Sequence, residues 1–374
     1  MLKEWGRIGC IGFGGPPTHI KLLRDLCVDR RQWIDPVEFE DAIAACNLLP
    51  GPASTQLAIF CAWRVRDRVG ALVGGLAFIV PGLILILALA ALYLDGSPPR
   101  WVLGAGAGAG AAVAAVAVQA GTTLLGDSWK RRTHNARWIG YLSAGAVAAA
   151  TLGPWLVLVL LACGVAELAA QRVISGNPSA EGAWAFPLLG AGAITGGVLL
   201  SVSWVALKVG ALSYGGGFVI IALMQADAVS HYHWMSGAQF LNAVALGQIT
   251  PGPVVHTVAV VGYAATGLGG GLLASAVAFA PSFAFILLGA RHFDRLRHDQ
   301  RARAFLGGTG PAAIGAILGS AIPLALALSE PWQYAVLAGA VVVLLGLQRG
   351  VVLILLGAGL IGVLVAVAAG PLPH

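Results

Sequence analysis

Charged side chains are scarce in this chain of 374 residues. Only 10% of the residues are Asp, Glu, Lys or Arg, whereas soluble domains have about 25%. The stretch from Trp234 to Ala290 contains none of them, and 58% of the whole chain is hydrophobic. Because a soluble enzyme needs more polar surface than this composition provides, the sequence predicts a protein that crosses a membrane several times.

Cysteine pairs and alternating patterns are also missing. The five cysteines show no Cys-x-x-Cys spacing, so we expect neither a disulfide framework nor a zinc site. No run of about ten residues alternates between polar and apolar types, which argues against a membrane β-barrel. The net charge of +6 is better explained by loops retained in the cytoplasm than by a nucleic-acid partner.

The chain contains instead several long stretches without charged residues. A membrane-spanning helix needs about 20 apolar residues. Windows of this length cover residues 69–94, 101–126, 138–166, 182–207, 304–329 and 350–373, and residues 234–290 hold at least one more. The sequence therefore predicts an all-α polytopic membrane protein.

The two halves of the chain are related in sequence. Pro50-Gly51-Pro52 recurs 201 residues later as Pro251-Gly252-Pro253, and the same offset places 14 identical residues between positions 9 and 58. Because a matched Pro-Gly-Pro is not an effect of composition, the pattern indicates a tandem duplication. We predict a first repeat at residues 1–172, a linker with an extra transmembrane helix at 173–203, and a second repeat at 204–374.

The distribution of basic residues predicts that the repeats have inverted topologies. Basic clusters occur at residues 64–68 and 130–137 of the first half, whereas the equivalent loops of the second half are uncharged or nearly so and residues 291–303 are basic. If basic loops stay in the cytoplasm, every Lys and Arg except Arg100 and Lys208 lies on that side. Inverted repeats are characteristic of secondary transporters, whose substrate site lies near the bilayer midplane.

Helix-breaking residues interrupt the apolar stretches that open each repeat. Residues 12–17 contain three glycines and two prolines, and Pro50-Gly51-Pro52 ends the next stretch. Such sequences do not continue a helix, and irregular backbone at membrane depth must be buried or line a cavity. We therefore expect broken or re-entrant helices, with tips meeting near the midplane, at residues 5–30, 36–63, 206–231 and 237–263. New helices would begin at about Pro17, Ala53, Phe218 and Val254.

The free N–H groups at these four helix starts predict an anion site. A tetrahedral oxyanion presents oxygens in all directions and suits a cage of such donors. The substrate-binding residues that we expect are Gly14, Gly15, Thr18, Asn47, Gly51, Ser54, Thr55 and Gln56 in the first half, and Gly215, Gly216, Gln248, Thr250, Gly252 and Thr257 in the second. The alternative is that the breaks are only kinks and close-packing points.

Four ionisable residues need their own interpretation. Lys208 stands alone in an uncharged run and aligns with Arg7 at the offset of 201. A charge in the membrane is a functional hypothesis by default, and these two cations would attract a dianion, although snorkelling to the interface explains Lys208 equally well. Asp227 and His256 are the candidates for proton coupling, with a satisfied core histidine as the alternative for His256.

These motifs resemble the chromate ion transporter family in its long, two-domain form. Four stretches carry the resemblance: Phe13 to Pro16, Cys46 to Ala58, Tyr214 to Gly217, and Gly247 to Val254. The resemblance spans nearly the whole chain and implies a prokaryotic inner-membrane protein that exports chromate and confers resistance, with sulfate as the close structural analogue. His256 departs from the resemblance, because family members more often have a small or hydroxyl residue there.

The function that we expect is secondary transport of chromate out of the cell by alternating access. The alternatives are a sulfate or oxyanion carrier or exchanger, and an anion channel. Moving one charge across ~100 mV is worth about 2.3 kcal/mol, so a dianion leaves a negative cytoplasm with about 4.6 kcal/mol in its favour. We expect no enzyme activity, cofactor or metal. The expected partners are the oxyanion and the lipid bilayer, with a homodimer left open.

Overall fold

The computed structural model of the protein describes residues 1–94, 96, 98–130, 132, 134–152, 155–175, 197–213, 219–290 and 299–373. All regular secondary structure in these ranges is helical. Four of the helices that they contain are long and apolar enough to cross a membrane, which confirms the expected all-α polytopic membrane fold. The predicted linker and extra helix at 173–203 fall largely outside the described residues, as do Gly215 and Gly216.

The first half opens with a series of interrupted helices. They are α1 (Leu2–Ile11), α2 (Pro16–Arg24), a π-helical turn (Asp25–Arg30), α3 (Pro36–Leu48) and α4 (Ala53–Leu94). Proline begins α2 and α3. At the first position of a helix the backbone N–H, which proline lacks, would have no hydrogen-bond partner within the helix. The Asp35 carboxylate caps α3 by accepting from the backbone N–H of Val37 at 2.8 Å. The interruptions at residues 12–15 and 49–52 fall where glycine and proline predict them.

Four helices complete the first half, and the second half opens with the same order of elements as the first. The four are α5 (Arg100–Ala111), α6 (Val113–Lys130), α7 (Asn135–Thr151) and α8 (Leu156–Ser175). The second half contains α9 (Val198–Leu212), α10 (Val219–Gln225), a π-helical turn (Ala226–His231), α11 (Gly237–Ile249), α12 (Thr257–Gly289), α13 (Gln300–Leu326), α14 (Pro331–Val341), a π-helical turn (Val342–Gly346) and α15 (Val351–Val367).

The helix expected at Val254 begins differently from its counterpart. Val254–His256 form a single 3₁₀ turn, and the α-helix starts at Thr257. Its first-half counterpart, Ala53, is the first residue of an α-helix. The second Pro-Gly-Pro is therefore followed by a tighter turn that brings His256 back toward the break.

Helices α4 and α12 each fold back on themselves as a hairpin. The backbone leaves the helical conformation at residues 66–67 of α4 and again at residues 266–267 of α12. A straight helix of 42 residues would be about 63 Å long, roughly twice the hydrocarbon thickness. A side chain on Gly70 would collide with the carbonyl oxygen of Ala62, so the two limbs of α4 are in direct backbone contact.

The two hairpins form the centre of the molecule. They pack against each other, α1 packs against α4, and α9 packs against α12. Around them, α15 lies along α5, while α7 and α8 lie along α13. Glycine and alanine at these contacts let the backbones approach closely, as is common between membrane helices. Helices α3 and α11 also pack against α4 and α12, respectively.

Unusual backbone conformations recur at equivalent positions of the two halves. Gln32 and His233, which are 201 residues apart, both have a φ of 52°. Gly51 and Gly252 both have positive φ, at 117° and 94°. The π-helical turns at 25–30 and 226–231 also share this offset. A duplicated unit would keep the same backbone conformation at equivalent positions even where the residue type has changed.

Ion pairs connect the helices at the charged end of the first half. Arg64 on α4 pairs with Glu38 on α3, and Arg24 on α2 pairs with Glu40 on α3. All four side chains are partly or largely exposed, so each pair contributes little to stability. The equivalent part of the second half, from Trp234 to Ala290, has no Asp, Glu, Lys or Arg with which to form such pairs.

Candidate functional site

The interruptions of the two halves meet in the centre of the helix bundle. The carbonyl oxygen of Gly12, where α1 ends, accepts a hydrogen bond from the backbone N–H of Gly252 at 3.1 Å. Gly12 belongs to the first break of the first half, and Gly252 belongs to the Pro-Gly-Pro of the second half. We call the region around this hydrogen bond the junction. It joins two segments that are 240 residues apart, since 252 minus 12 is 240.

The other Pro-Gly-Pro makes the corresponding contact. A side chain on Gly51 would lie 3.0 Å from the carbonyl oxygen of Gly210 on α9 and 3.5 Å from Oγ of Ser282 on α12. Gly51 also has a φ of 117°, a conformation that L-residues with side chains rarely adopt. Glycine is therefore required here both by the backbone conformation and by the close approach of α9 and α12.

The second limbs of the hairpins close the junction from the side. A side chain on Gly82 of α4 would collide with the carbonyl oxygen of Pro251, and the imidazole of His256 lies next to it. Ser282 of α12, which lies 200 residues after Gly82, faces Gly51, and its hydroxyl is fully buried without a hydrogen-bond partner. The glycines of both Pro-Gly-Pro turns are thus buried, as irregular backbone at membrane depth must be.

In the first half, the polar residues at the start of α4 surround the break. The Gln56 amide nitrogen donates to the carbonyl oxygen of Pro50 at 2.7 Å, so this side chain holds the Pro-Gly-Pro turn in place. The Ser54 hydroxyl lies 3.2 Å from Nδ1 of His19. The Thr55 hydroxyl is buried and unpartnered. Sequence reasoning expected all three α4 residues near a ligand, and they do lie at the break.

In the second half, fewer of the expected donors are free. The hydroxyls of Thr250 and Thr257 donate to the carbonyl oxygens of Leu246 and Val254, each at 2.9 Å. Gln248 is buried, and its amide nitrogen has no partner. Gln248 is therefore the side chain among these three that keeps unused donors near the second Pro-Gly-Pro.

Three of the remaining expected residues of the first half lie nearer the surface. Asn47 and Gly14 are exposed, and Thr18 is half-buried. Gly15 is buried, and a side chain on it would approach Val254 at 3.7 Å. Asn47 and Gln248 therefore differ in burial although they occupy equivalent positions in the sequence.

His19 is a residue that sequence reasoning missed. Its side chain is fully buried, Nε2 lies 2.9 Å from the carbonyl oxygen of Gly12, and its ring packs edge-on against Phe78 with centroids 5.1 Å apart. The signal was a single polar aromatic residue in an uncharged stretch directly after the Gly-Gly break.

His256 lies on the other side of the junction. It is fully buried and packs against the ring of Phe279, with centroids 5.3 Å apart. Neither ring nitrogen has a partner in hydrogen-bonding geometry. A role in proton coupling and a role as a core histidine both stay predictions for His256.

Lys208 and Asp227 form a buried ion pair. The Lys208 ammonium lies 2.5 Å from a carboxylate oxygen of Asp227, and both side chains are less than 10% exposed. Lys208 also lies 5.6 Å from the centre of the Trp204 ring. The sequence suggested that Lys208 acts with Arg7 as a pair of cations, but Arg7 is exposed on α1 and the charge of Lys208 is already balanced. Asp227, expected as a coupling residue, is its counter-ion.

In the part of the chain that the structure describes, no group of three or more His, Cys, Asp or Glu side chains is arranged to hold a metal ion. The groups around the junction are backbone amides, hydroxyls, amides and imidazoles. These groups suit recognition of a small polar solute by hydrogen bonds.

The fold is that of a polytopic membrane protein whose apolar helices are interrupted, with the interruptions meeting inside the bundle. Membrane proteins that carry solutes have their binding sites at interruptions of this kind. The chain belongs to the chromate transporter family, because the family model described as "Chromate transporter" matches residues 1–168 and 200–363. It is accordingly a multi-pass membrane protein for chromate transport and not an enzyme.

Several curated proteins are similar to the chain over most of its length. The chromate transport protein of Cupriavidus metallidurans is 32% identical over 335 residues, which is 85% of this chain and 80% of the relative. The chromate transport protein of Pseudomonas aeruginosa is 29% identical over 347 residues, 88% and 82% of the two chains. An uncharacterized transporter of Methanocaldococcus jannaschii is 27% identical over 312 residues, 78% and 76%. No solved structure matches the chain.

Proposed function

We propose that the protein exports chromate across a prokaryotic inner membrane by alternating access and so contributes to chromate resistance. Residues 1–172 and 204–374 would be inverted-topology repeats, joined by the segment at 173–203. The observation that carries the proposal is the hydrogen bond from Gly252 to Gly12, because it links a break of one half to a break of the other. A site built from both halves is what alternating access between them requires.

The chemistry of the junction supports an oxyanion as the solute. Unpartnered buried polar atoms include the hydroxyls of Thr55 and Ser282 and the amide nitrogen of Gln248. A buried polar group without a hydrogen bond costs about 1–3 kcal/mol, so their retention needs a reason. Each of these groups has a hydrogen to donate, and the helix start at Ala53 adds backbone N–H groups and a partial positive charge.

The membrane potential supports export as the direction. A dianion moving out of a cytoplasm at about −100 mV gains about 4.6 kcal/mol, so outward transport can proceed without an energy source of its own. The basic residues of the first half, which the positive-inside rule places in the cytoplasm, would also raise the local concentration of a dianion at the inner face.

The proposal is tested with radiolabelled chromate and inside-out membrane vesicles. Chromate should accumulate when the vesicle interior is made positive, and excess sulfate should slow the uptake if the site recognises the tetrahedral shape. Gly51→Ala and Gly252→Ala should each reduce uptake at least tenfold, because both positions have positive φ and a Cβ at either one would crowd its neighbours.

Gly267→Asn is the matched control. Gly267 also has positive φ, but a Cβ there meets nothing within 4 Å, and Asp67 holds the equivalent position with a φ of 48°. The control should transport like the unaltered protein. Vesicles without chromate uptake would contradict chromate export, and currents far faster than carrier turnover would indicate a channel. Full uptake by both Ala variants would exclude the junction as the site.

A further inference from the structure

Two histidines lie at the junction from opposite halves of the chain. His19 contacts the carbonyl oxygen of Gly12, and the ring of His256 lies against Gly252, whose N–H donates to that same carbonyl. Both side chains are fully buried. One hydrogen-bonded pair of glycines therefore separates two buried groups that can each take up a proton.

Other formal charges are missing from the segments around the junction. Residues 8–20, 42–63, 69–94 and 234–290 contain no Asp, Glu, Lys or Arg. Besides the two histidines, their titratable side chains are thiols and phenols that normally stay neutral near pH 7: Cys10, Cys46, Cys61, Tyr93 and Tyr263. On α9, Lys208 is neutralised by Asp227. A dianion at the junction would face no unpaired cation from these elements.

A dianion in a dry site needs positive charge. The free-energy cost of removing an ion from water is high, and neutral donors repay it only in part. Helix starts supply about half a charge each. Protonated imidazoles supply a full charge each and two N–H donors.

The hydrogen bonds of His19 show what a proton would change. The Gly12 carbonyl can only accept, so Nε2 of His19 carries a hydrogen, and in the neutral ring Nδ1 must accept from the Ser54 hydroxyl. Protonation of Nδ1 makes it a donor to the Ser54 oxygen. The Ser54 hydrogen is then free to turn toward a ligand at the start of α4.

We infer that His19 and His256 are the protonatable counter-charges of the oxyanion site, so that chromate binds together with protons. The inference rests on the proposed function, since it assumes that the junction is the chromate site. With both imidazoles protonated, the loaded site is electrically neutral.

The inference is tested by counting protons. Chromate is titrated into the purified protein by calorimetry in two buffers of different ionisation enthalpy, at a pH at which chromate is the dianion. The unaltered protein should take up about two protons per chromate, and its affinity should fall by up to about a hundredfold per pH unit as the pH rises. His19→Gln and His256→Gln should each take up about one proton fewer and bind roughly ten- to a hundredfold more weakly.

Two further variants make the readout specific. His233→Gln alters an exposed histidine at the position where the first half has Gln32 with the same φ, and it should leave the proton count unchanged. Ser54→Ala should weaken binding without changing the count, because the Nδ1 proton remains and only the hydroxyl donor is lost. If His256→Gln does not fold, His256→Thr replaces it, since Thr55 holds the equivalent position.

The outcomes separate this inference from the proposed function. Chromate binding and transport without proton uptake, or proton counts in both histidine variants equal to that of the unaltered protein, would overturn the role of the imidazoles and leave chromate export standing. A protein that neither binds nor transports chromate would overturn the proposed function itself. Loss of one proton in each variant, with the count unchanged in the His233 control, would establish the two imidazoles as the proton acceptors.

Discussion

At the scale of single residues, Lys208 and Asp227 show how the protein keeps two charges among apolar helices. An isolated lysine or aspartate in such surroundings would be expensive, but the 2.5 Å ion pair leaves no net charge. The π-helical turn that begins at Ala226 places Asp227 against α9. Such turns often occur at functional positions in helices.

Because the two charges are paired, we expect single substitutions to lower the stability of the protein more than the double substitution does. Lys208→Met or Asp227→Asn alone leaves one buried charge unpaired, and we expect a loss of about 3–5 kcal/mol of stability. The double variant should recover most of it. Thermal unfolding in detergent measures the effect, with Glu40→Gln as a control, because that exposed pair should contribute less than about 1 kcal/mol. Single variants as stable as the unaltered protein would show that the pair is not needed.

At the scale of helices, close backbone contact through glycine holds the bundle together. On α7, a side chain on Gly145 would collide with the carbonyl oxygen of Ala312 on α13. Gly315 of α13 is equally tight against Leu142 of α7. Lipid gives helices no hydrophobic reason to associate, so packing of this kind supplies much of the attraction.

We therefore expect the same substitution to have different effects on stability at Gly145 and at Gly140 of α7. Gly145→Ala should destabilise the protein by about 1–3 kcal/mol, because the new methyl group forces α13 away. Gly140→Ala should be neutral or slightly stabilising, since a Cβ there meets nothing within 4 Å and alanine favours the helix. Thermal unfolding of the two variants in one detergent makes the comparison. Equal melting temperatures would refute glycine packing between α7 and α13.

At the scale of the whole molecule, the sequence predicts that the two halves lie upside down relative to each other. The basic residues near the turn of α4 and the uncharged turn of α12 are the evidence, through the positive-inside rule. Arg68 and Leu268 lie directly after these turns and are both exposed. They would therefore lie on opposite sides of the membrane.

Labelling with a membrane-impermeant maleimide tests the opposite orientation. Arg68→Cys and Leu268→Cys are each introduced together with Cys10→Ser, because Cys10 is the exposed native cysteine and the other four are buried. Leu268→Cys should react in intact cells, and Arg68→Cys should react in inside-out vesicles. Reaction of both cysteines from the same side would show that the halves are parallel.

Much of the fold followed from local sequence, and the site followed only in part. The breaks at residues 12–15 and 49–52 were predictable because proline and glycine act on the backbone where they stand. Thr55 and Gln56 were expected at the site because they adjoin such a break. His19 was not, because its role depends on Gly12 and Ser54, and no local rule brings those three residues together.

The sequence by itself determined the class of protein, the position of the helix breaks and the predicted repeat, because hydrophobicity, backbone restriction and internal similarity are properties of neighbouring residues or of the order along the chain. Only the tertiary structure decided that Lys208 is paired with Asp227 and that Gly12 meets Gly252. Those contacts depend on how closely the hairpins of α4 and α12 approach each other. Steric fit between residues far apart in the chain sets that approach.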